Sequence, residues 1–160
     1  MGRHSVVIDR PIEEVFSVLT DVTLTGRWYP ADVEEWWTSP SPHGVGSTRR
    51  ARVRVLGRAM ENDAVVTAFE PPRLAAMRGL TRSSPFEVTL RFEPVGRGTR
   101  VVTESAFHFT GPMRLLGPLF IGSYERGWER GLSNLKRMME SGELEPNPQG
   151  SPGGGATRRT

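Results

Sequence analysis

The feature that most limits what this chain can fold into is a single apolar stripe near its C-terminus. Leu116, Phe120, Tyr124, Trp128, Leu132, Leu135 and Met139 recur every three or four residues, the spacing of one face of an amphipathic helix. Arg126, Glu129, Arg130, Lys136 and Arg137 lie mostly off that stripe. Gly111-Pro112 and Gly117-Pro118 interrupt its start, so the sequence predicts a regular helix from near Pro118 to Ser141-Gly142. Such a helix needs an apolar surface to bury its stripe.

The preceding residues supply that surface. His4 to Asp9 reads as a strand, and Pro11 suits the first position of a helix carrying Glu13 and Glu14 in its first turn. Ile12, Val15, Phe16 and Leu19 keep helical spacing as far as Asp21, and a second short helix or turn spans roughly Thr23 to Arg27. From Trp28-Tyr29-Pro30 to Phe109 the punctuation is that of consecutive hairpins, with strands over 33–38, 48–56, 58–69, 74–80, 86–93 and 99–109. Phe86, Val88, Leu90 and Phe92 alternate with Glu87, Thr89, Arg91 and Glu93, as a half-buried strand must. Ala51, Val53 and Val55 alternate in the same way with Arg50, Arg52 and Arg54. The order is strand, two short helices, six strands and a long helix, which describes an α+β domain whose antiparallel meander buries one face against the helix.

The 160 residues suit one domain. The Pro/Gly-rich end cannot bury enough surface to order itself, so the expected division is a folded domain over 3–142 and a flexible tail over 143–160. With no cysteine there is no disulfide framework or zinc-thiolate site. The near-apolar run from Leu115 to Gly122 is too short to span a bilayer, and the first residues lack the apolar core of a signal peptide. A cytoplasmic location is expected. The pI of about 10.1 looks like a nucleic-acid signal. However, the net charge is only +3, and Lys136 is the single lysine among 21 basic residues. Little titrates between neutrality and strong alkali, so no nucleic-acid partner is expected.

Six phrases in order carry a resemblance: VVIDRPIEEVFSVLTD, GRWYP, HGVGSTRRARV, VVTAFEPPRLAAM, PFEVTLRFEPVGRGTRV and ERGLSNLKRMME. They cover nearly the whole folded chain, which resembles the helix-grip fold of the START and birch-pollen-allergen superfamily. Within it the chain is most similar to bacterial polyketide cyclase/dehydrase-type proteins, the SRPBCC group. The resemblance implies a seven-stranded antiparallel sheet curled around the C-terminal helix, with two short helices between strands 1 and 2. It also implies an elongated apolar cavity between the sheet, that helix and the short helices.

On that frame the candidate ligand-contacting residues are Trp28, Trp37, Val53, Val55, Phe86, Val88, Leu90, Thr103, Ser105, Phe107, Phe120, Tyr124 and Trp128. Trp28 reads as a plug at one end of the core or as a residue of the cavity mouth. Trp36 and Trp37 must face opposite sides of their strand, and the short run leaves open which is inside. Glu104 and His108 share a face, but the more apolar set of Val101, Thr103, Ser105, Phe107 and Phe109 belongs inside, which places the pair on the solvated side. An inward Glu104–His108 acid/base pair would need a bulge. Arg50, Arg52 and Arg54, with Arg49 added, read as a convex stripe diluted by Glu87, Glu93 and Glu104. Gly44-Val-Gly46 and Gly96-Arg-Gly98 read as hairpin turns, because no helix follows to make a phosphate cradle. His4, His43 and His108 show no metal-ligand spacing, and no cofactor is expected.

The expected function is binding of a hydrophobic or amphipathic small molecule, of polyketide, aromatic or lipid-like type, with cyclisation or dehydration by confinement as the chemistry. The other reading is a noncatalytic interaction module, stress-associated or toxin-like, working through the convex arginines or the hairpin tips. Neither a catalytic residue nor an oligomeric state follows from the sequence.

Overall fold

A computed structural model describes residues 2–55, 57–82 and 85–147, with Val55 given by its backbone alone. Most of the expected tail, 148–160, lies outside the described residues. The strands are β1 Gly2–Ile8, β2 Val33–Trp37, β3 Thr48–Val55, β4 Arg58–Glu70, β5 Leu74–Gly79, β6 Phe86–Val95 and β7 Gly98–Phe107. The helices are α1 Ile12–Thr20, α2 Thr25–Trp28 and α3 Met113–Glu140, with a 3-10 turn at Val22–Leu24.

The sheet order is β1-β7-β6-β5-β4-β3-β2, antiparallel throughout. Strands β1 and β2 therefore form opposite edges, and the short helices carry the chain between them. A register shift between Val66 and Ala68 in β4 adds local bend and twist to the sheet. The sheet curls around α3, which is the helix-grip architecture.

Strand registry defines the concave face. It carries Val33, Glu35 and Trp37 of β2, Arg49, Ala51 and Val53 of β3, Asn62 and Ala64 of β4, Phe86, Val88, Leu90 and Phe92 of β6, and Thr103, Ser105 and Phe107 of β7. At one end this face meets α1 and the last turns of α3. Phe16 lies edge-on to Phe92 at 5.0 Å, and Val15, Val101, Leu135, Met139 and Leu144 are fully buried around them. Leu144 extends this core past the expected boundary at Gly142. Gly142, at φ +80°, turns the chain so that the Leu144 amide donates to the Met138 carbonyl.

Helix α3 starts at Met113, five residues before the start expected at Pro118. Pro118 falls in the second turn, where its missing N–H forgoes a single bond near the helix end. Gly117 has a packing role rather than a breaking one, since a Cβ there would lie 2.8 Å from the Phe109 ring. The stripe is uneven along its length. Leu132, Leu135 and Met139 are buried, whereas Leu116 is 59% exposed and Phe120 42%. Among the described residues, no helix is long and apolar enough to cross a membrane.

Candidate functional site

Beneath α3 the aromatic side chains form one continuous run. Trp28 and Tyr29 each meet Trp128, at 5.8 and 6.1 Å between ring centroids, and Trp128 meets Tyr124 at 6.2 Å. Tyr124 stands edge-on to Phe107 at 4.5 Å, and Phe107 continues to Phe86 and Phe120 at 6.0 and 6.1 Å. Two glycines of α3 admit the first two rings. A Cβ at Gly131 would press on the Trp28 indole at 3.0 Å, and one at Gly127 would collide with the Tyr29 hydroxyl. Trp28 is 3% exposed and closes the packed end of the core. Six of the expected contact residues are thereby joined: Trp28, Phe86, Phe107, Phe120, Tyr124 and Trp128.

The others are distributed around this run. Val88 is buried and Leu90 half-buried on β6, and Val53 is half-buried on β3. The Thr103 hydroxyl is spent on the His4 carbonyl at 3.4 Å, while Ser105 is buried beside Gly2 and Glu125. The side chain of Val55 lies outside the described residues. Trp37 is on the concave face but at its edge, stacked on His43 at 4.0 Å and apart from the other indoles. Trp36 is on the convex face under the Arg52 guanidinium at 5.4 Å.

The sequence reading misplaces Arg49. It sits opposite Ala64 and Trp37 on the concave face, 6% exposed, and does not belong to the convex stripe. Its Nη1 donates to Asn62 Oδ1 at 2.6 Å, its guanidinium lies 5.8 Å from the Phe86 ring centre, and its Nε faces Glu35 Oε2 at 3.7 Å. That last separation is an ion pair without a hydrogen bond. Arg49 Nε has no acceptor, and the Trp28 and Trp128 indole N–H groups lack acceptors as well. The Glu35 side chain is half-buried, 14% exposed, and its contact with Arg49 is an ion pair at 3.7 Å.

Burial governs the electrostatics here. Desolvation raises the pKa of Glu35, and the opposing pull of Arg49 only partly offsets it. Desolvation, with a smaller contribution from Glu35, pushes Tyr29 up to about 12. Tyr124 is raised further by burial, and the Trp128 indole partly offsets this without reaching hydrogen-bond geometry. The result is a polar cluster of Tyr29, Glu35, Arg49, Asn62 and Tyr124 against an otherwise apolar, aromatic wall. Its chemistry is that of a fixed cation, a carboxyl with a high proton affinity and two neutral phenols.

The convex arginines are engaged. Arg50 bonds Asp63 at 2.7 Å, Arg52 bonds Glu61 at 2.9 Å and Arg54 pairs with Asp32 at 3.7 Å, so β4 and the residue before β2 supply the balancing acids in place of Glu87, Glu93 and Glu104. Glu104 pairs with Arg91 on that same outer face, and His108 is exposed beyond the end of β7. Grooves on the described surface lie away from this cluster. One of about 350 Å³ lies between β1 and α3 near His4 and Lys136, and one of about 160 Å³ lies near Glu87 and Glu104. Neither is lined by Glu35, Arg49 or Tyr124. Among the described residues no three His, Asp or Glu side chains gather as a metal site would require.

A family model described as "Polyketide cyclase / dehydrase and lipid transport" matches residues 2–140. The chain belongs to this family. A similar curated protein is the uncharacterized protein Rv2574 of Mycobacterium tuberculosis, 28% identical over 87% of this chain and 84% of its own. Among solved structures, TTHA0849 from Thermus thermophilus superposes with a TM-score of 0.72 at 20% identity, over 89% of this chain and 98% of that one. The di-domain ARO/CYC BexL of the BE-7585A biosynthetic pathway gives 0.69 at 17% identity, over 87% of this chain and 46% of its own two-domain length. At these identities the likeness concerns the fold. Within this polyketide cyclase/dehydrase and lipid transport domain, the concave face between sheet and α3 is where ring packing, buried charge and orphaned donors coincide.

Proposed function

We propose that this domain binds a hydrophobic or amphipathic small molecule, of polyketide, aromatic or lipid-like type, on the concave face beneath the first half of α3. The observation that carries the reading is the Glu35–Arg49 pair. A buried guanidinium with an unused N–H, facing a half-buried carboxylate across 3.7 Å, is costly unless an acceptor occupies the gap. The aromatic run supports this reading by offering a surface for an apolar body. For a flexible polyketone, confinement against these rings supplies the proximity that cyclisation and dehydration need.

Titration of tryptophan fluorescence with a panel of aromatic and lipid-like compounds tests this reading. Saturable quenching by at least one class is the expected result, and native mass spectrometry of freshly purified protein should show a retained small molecule. A panel that yields no saturable quenching would favour the interaction module.

A further inference from the structure

If the concave face is a binding site, its charges also specify what the ligand carries, and this inference rests on that reading. Arg49 is 6% exposed and permanently cationic, and the Glu35 side chain 3.7 Å away is 14% exposed. The two bring no net charge into the interior. A ligand without an oxygen would leave Arg49 Nε as it is now, without an acceptor, and a single neutral carbonyl would fill that acceptor position without balancing the guanidinium charge. A carboxylate provides acceptor oxygens for Nε and matches the planar guanidinium. It also adds a second negative charge next to Glu35, and two carboxylates at such a site do not both stay ionised.

We infer that the ligand carries a carboxylate on an apolar, aromatic-sized body, that this carboxylate seats on Arg49, and that Glu35 takes up one proton as it binds. Charge then balances: one anion and one proton enter together. The neutral Glu35 donates its O–H to the incoming carboxylate, and the interior pair of charges becomes Arg49 with the ligand. No covalent bond is made or broken. Glu35 is the partner suited to yield its charge, because desolvation already raises its proton affinity despite Arg49.

The groups facing Glu35 leave it as the one that titrates. Arg49 comes from β3, Tyr29 from the end of α2 and Tyr124 from α3, and both phenols keep their protons well above neutral pH. Asn62 of β4 is uncharged, His43 lies beyond Trp37 against its ring, and Glu34 and Arg52 belong to the opposite face.

Calorimetric titration with 2-naphthoate and with its neutral counterpart 2-acetonaphthone, in two buffers of different ionisation enthalpy, tests the inference. Above the pH at which free Glu35 ionises, 2-naphthoate should bind with uptake of close to one proton. Its Kd should weaken towards tenfold per pH unit there and level off at lower pH. The ketone should bind without uptake or pH dependence. Glu35→Gln should bind 2-naphthoate with no uptake and a flat pH profile, and Arg49→Met should weaken the naphthoate at least tenfold more than the ketone. Uptake that is absent in the native protein at every pH, or that persists in Glu35→Gln, overturns the inference. Binding of the ketone alone overturns the inference but leaves the binding reading standing, and binding of neither overturns both.

Discussion

Arg49 Nε and Glu35 Oε2 face each other at 3.7 Å across two neighbouring strands, both inside the curl of the sheet. They are close enough to share a field and too far apart to share a hydrogen bond. Removing one charge should therefore cost more than removing both. Arg49→Met should lose about 1–3 kcal/mol of stability, because it leaves a half-buried carboxyl without its cation. The double variant with Glu35→Gln should recover part of that loss. Denaturant unfolding of the full cycle measures it, and additive single effects would show that the pair is not coupled.

Acid and alkali should act through different groups. Glu35 has a raised folded-state pKa, so the folded chain holds a proton where the unfolded chain has lost it. Its contribution to stability is full below the usual carboxylate value of about 4.3 and fades as pH rises through the raised value. Asp63 and Glu140 run the other way. Hydrogen bonds from Arg50 and from Lys136 lower them, so their support is present near neutrality and lost on acidification. Substituting Glu35→Gln should flatten the first limb alone in a thermal-unfolding series across pH.

Tyr29 sets a third limb. Its phenol is shifted from 10.0 to about 12, so an unfolded chain ionises it well before the folded chain does. Stability should fall as pH rises through that window, and Tyr29→Phe should remove part of the fall. Ultraviolet titration of tyrosinate in the folded protein gives the direct reading.

Gly127 and Gly122 of α3 should respond oppositely to alanine. Nothing but the Arg126 side chain at 3.6 Å lies near a Cβ at Gly122, so alanine there should stabilise by about 0.5–1 kcal/mol through helix propensity. At Gly127 the same methyl meets the Tyr29 hydroxyl. The ring must swing away, and Gly127→Ala should bring part of the tyrosine titration back towards 10 while weakening ligand binding.

The two halves of the α3 stripe should differ sharply although they look alike as sequence. Leu135→Ala, at a fully buried position, should cost about 2–5 kcal/mol. Leu116→Gln, at 59% exposure, should change stability by less than about 0.5 kcal/mol. Equal effects in urea unfolding would contradict the uneven packing.

Strand parity made most of the fold legible, because a period of two leaves little freedom once one face is apolar. Phe86 to Phe92 and Val101 to Phe107 sit as their alternation requires. The same rule placed Arg49 inside, since it shares parity with Ala51 and Val53, yet side-chain chemistry argued for grouping it with its charged neighbours. Glu35 was hidden for a similar reason, standing beside Glu34 in a five-residue strand. Only pairing with β3 reveals that the two inward charges meet, and pairing is a long-range property. Gly127 and Gly131, four apart within a helix, were the readable sign that something large packs against α3. The exposure of Leu116 and Phe120 was not readable, because periodicity reports a face and not whether another element covers it.

The most direct test of the central claim is an isotope-edited proton–nitrogen spectrum of the indole groups during titration with 2-naphthoate. Four tryptophans give four signals, and only some line the concave face. Saturable shifts of the Trp28 and Trp128 signals, whose N–H groups are buried without acceptors, are expected, with the convex Trp36 signal unmoved. Unmoved Trp28 and Trp128 signals, or a response at Trp36 alone, would contradict binding beneath α3.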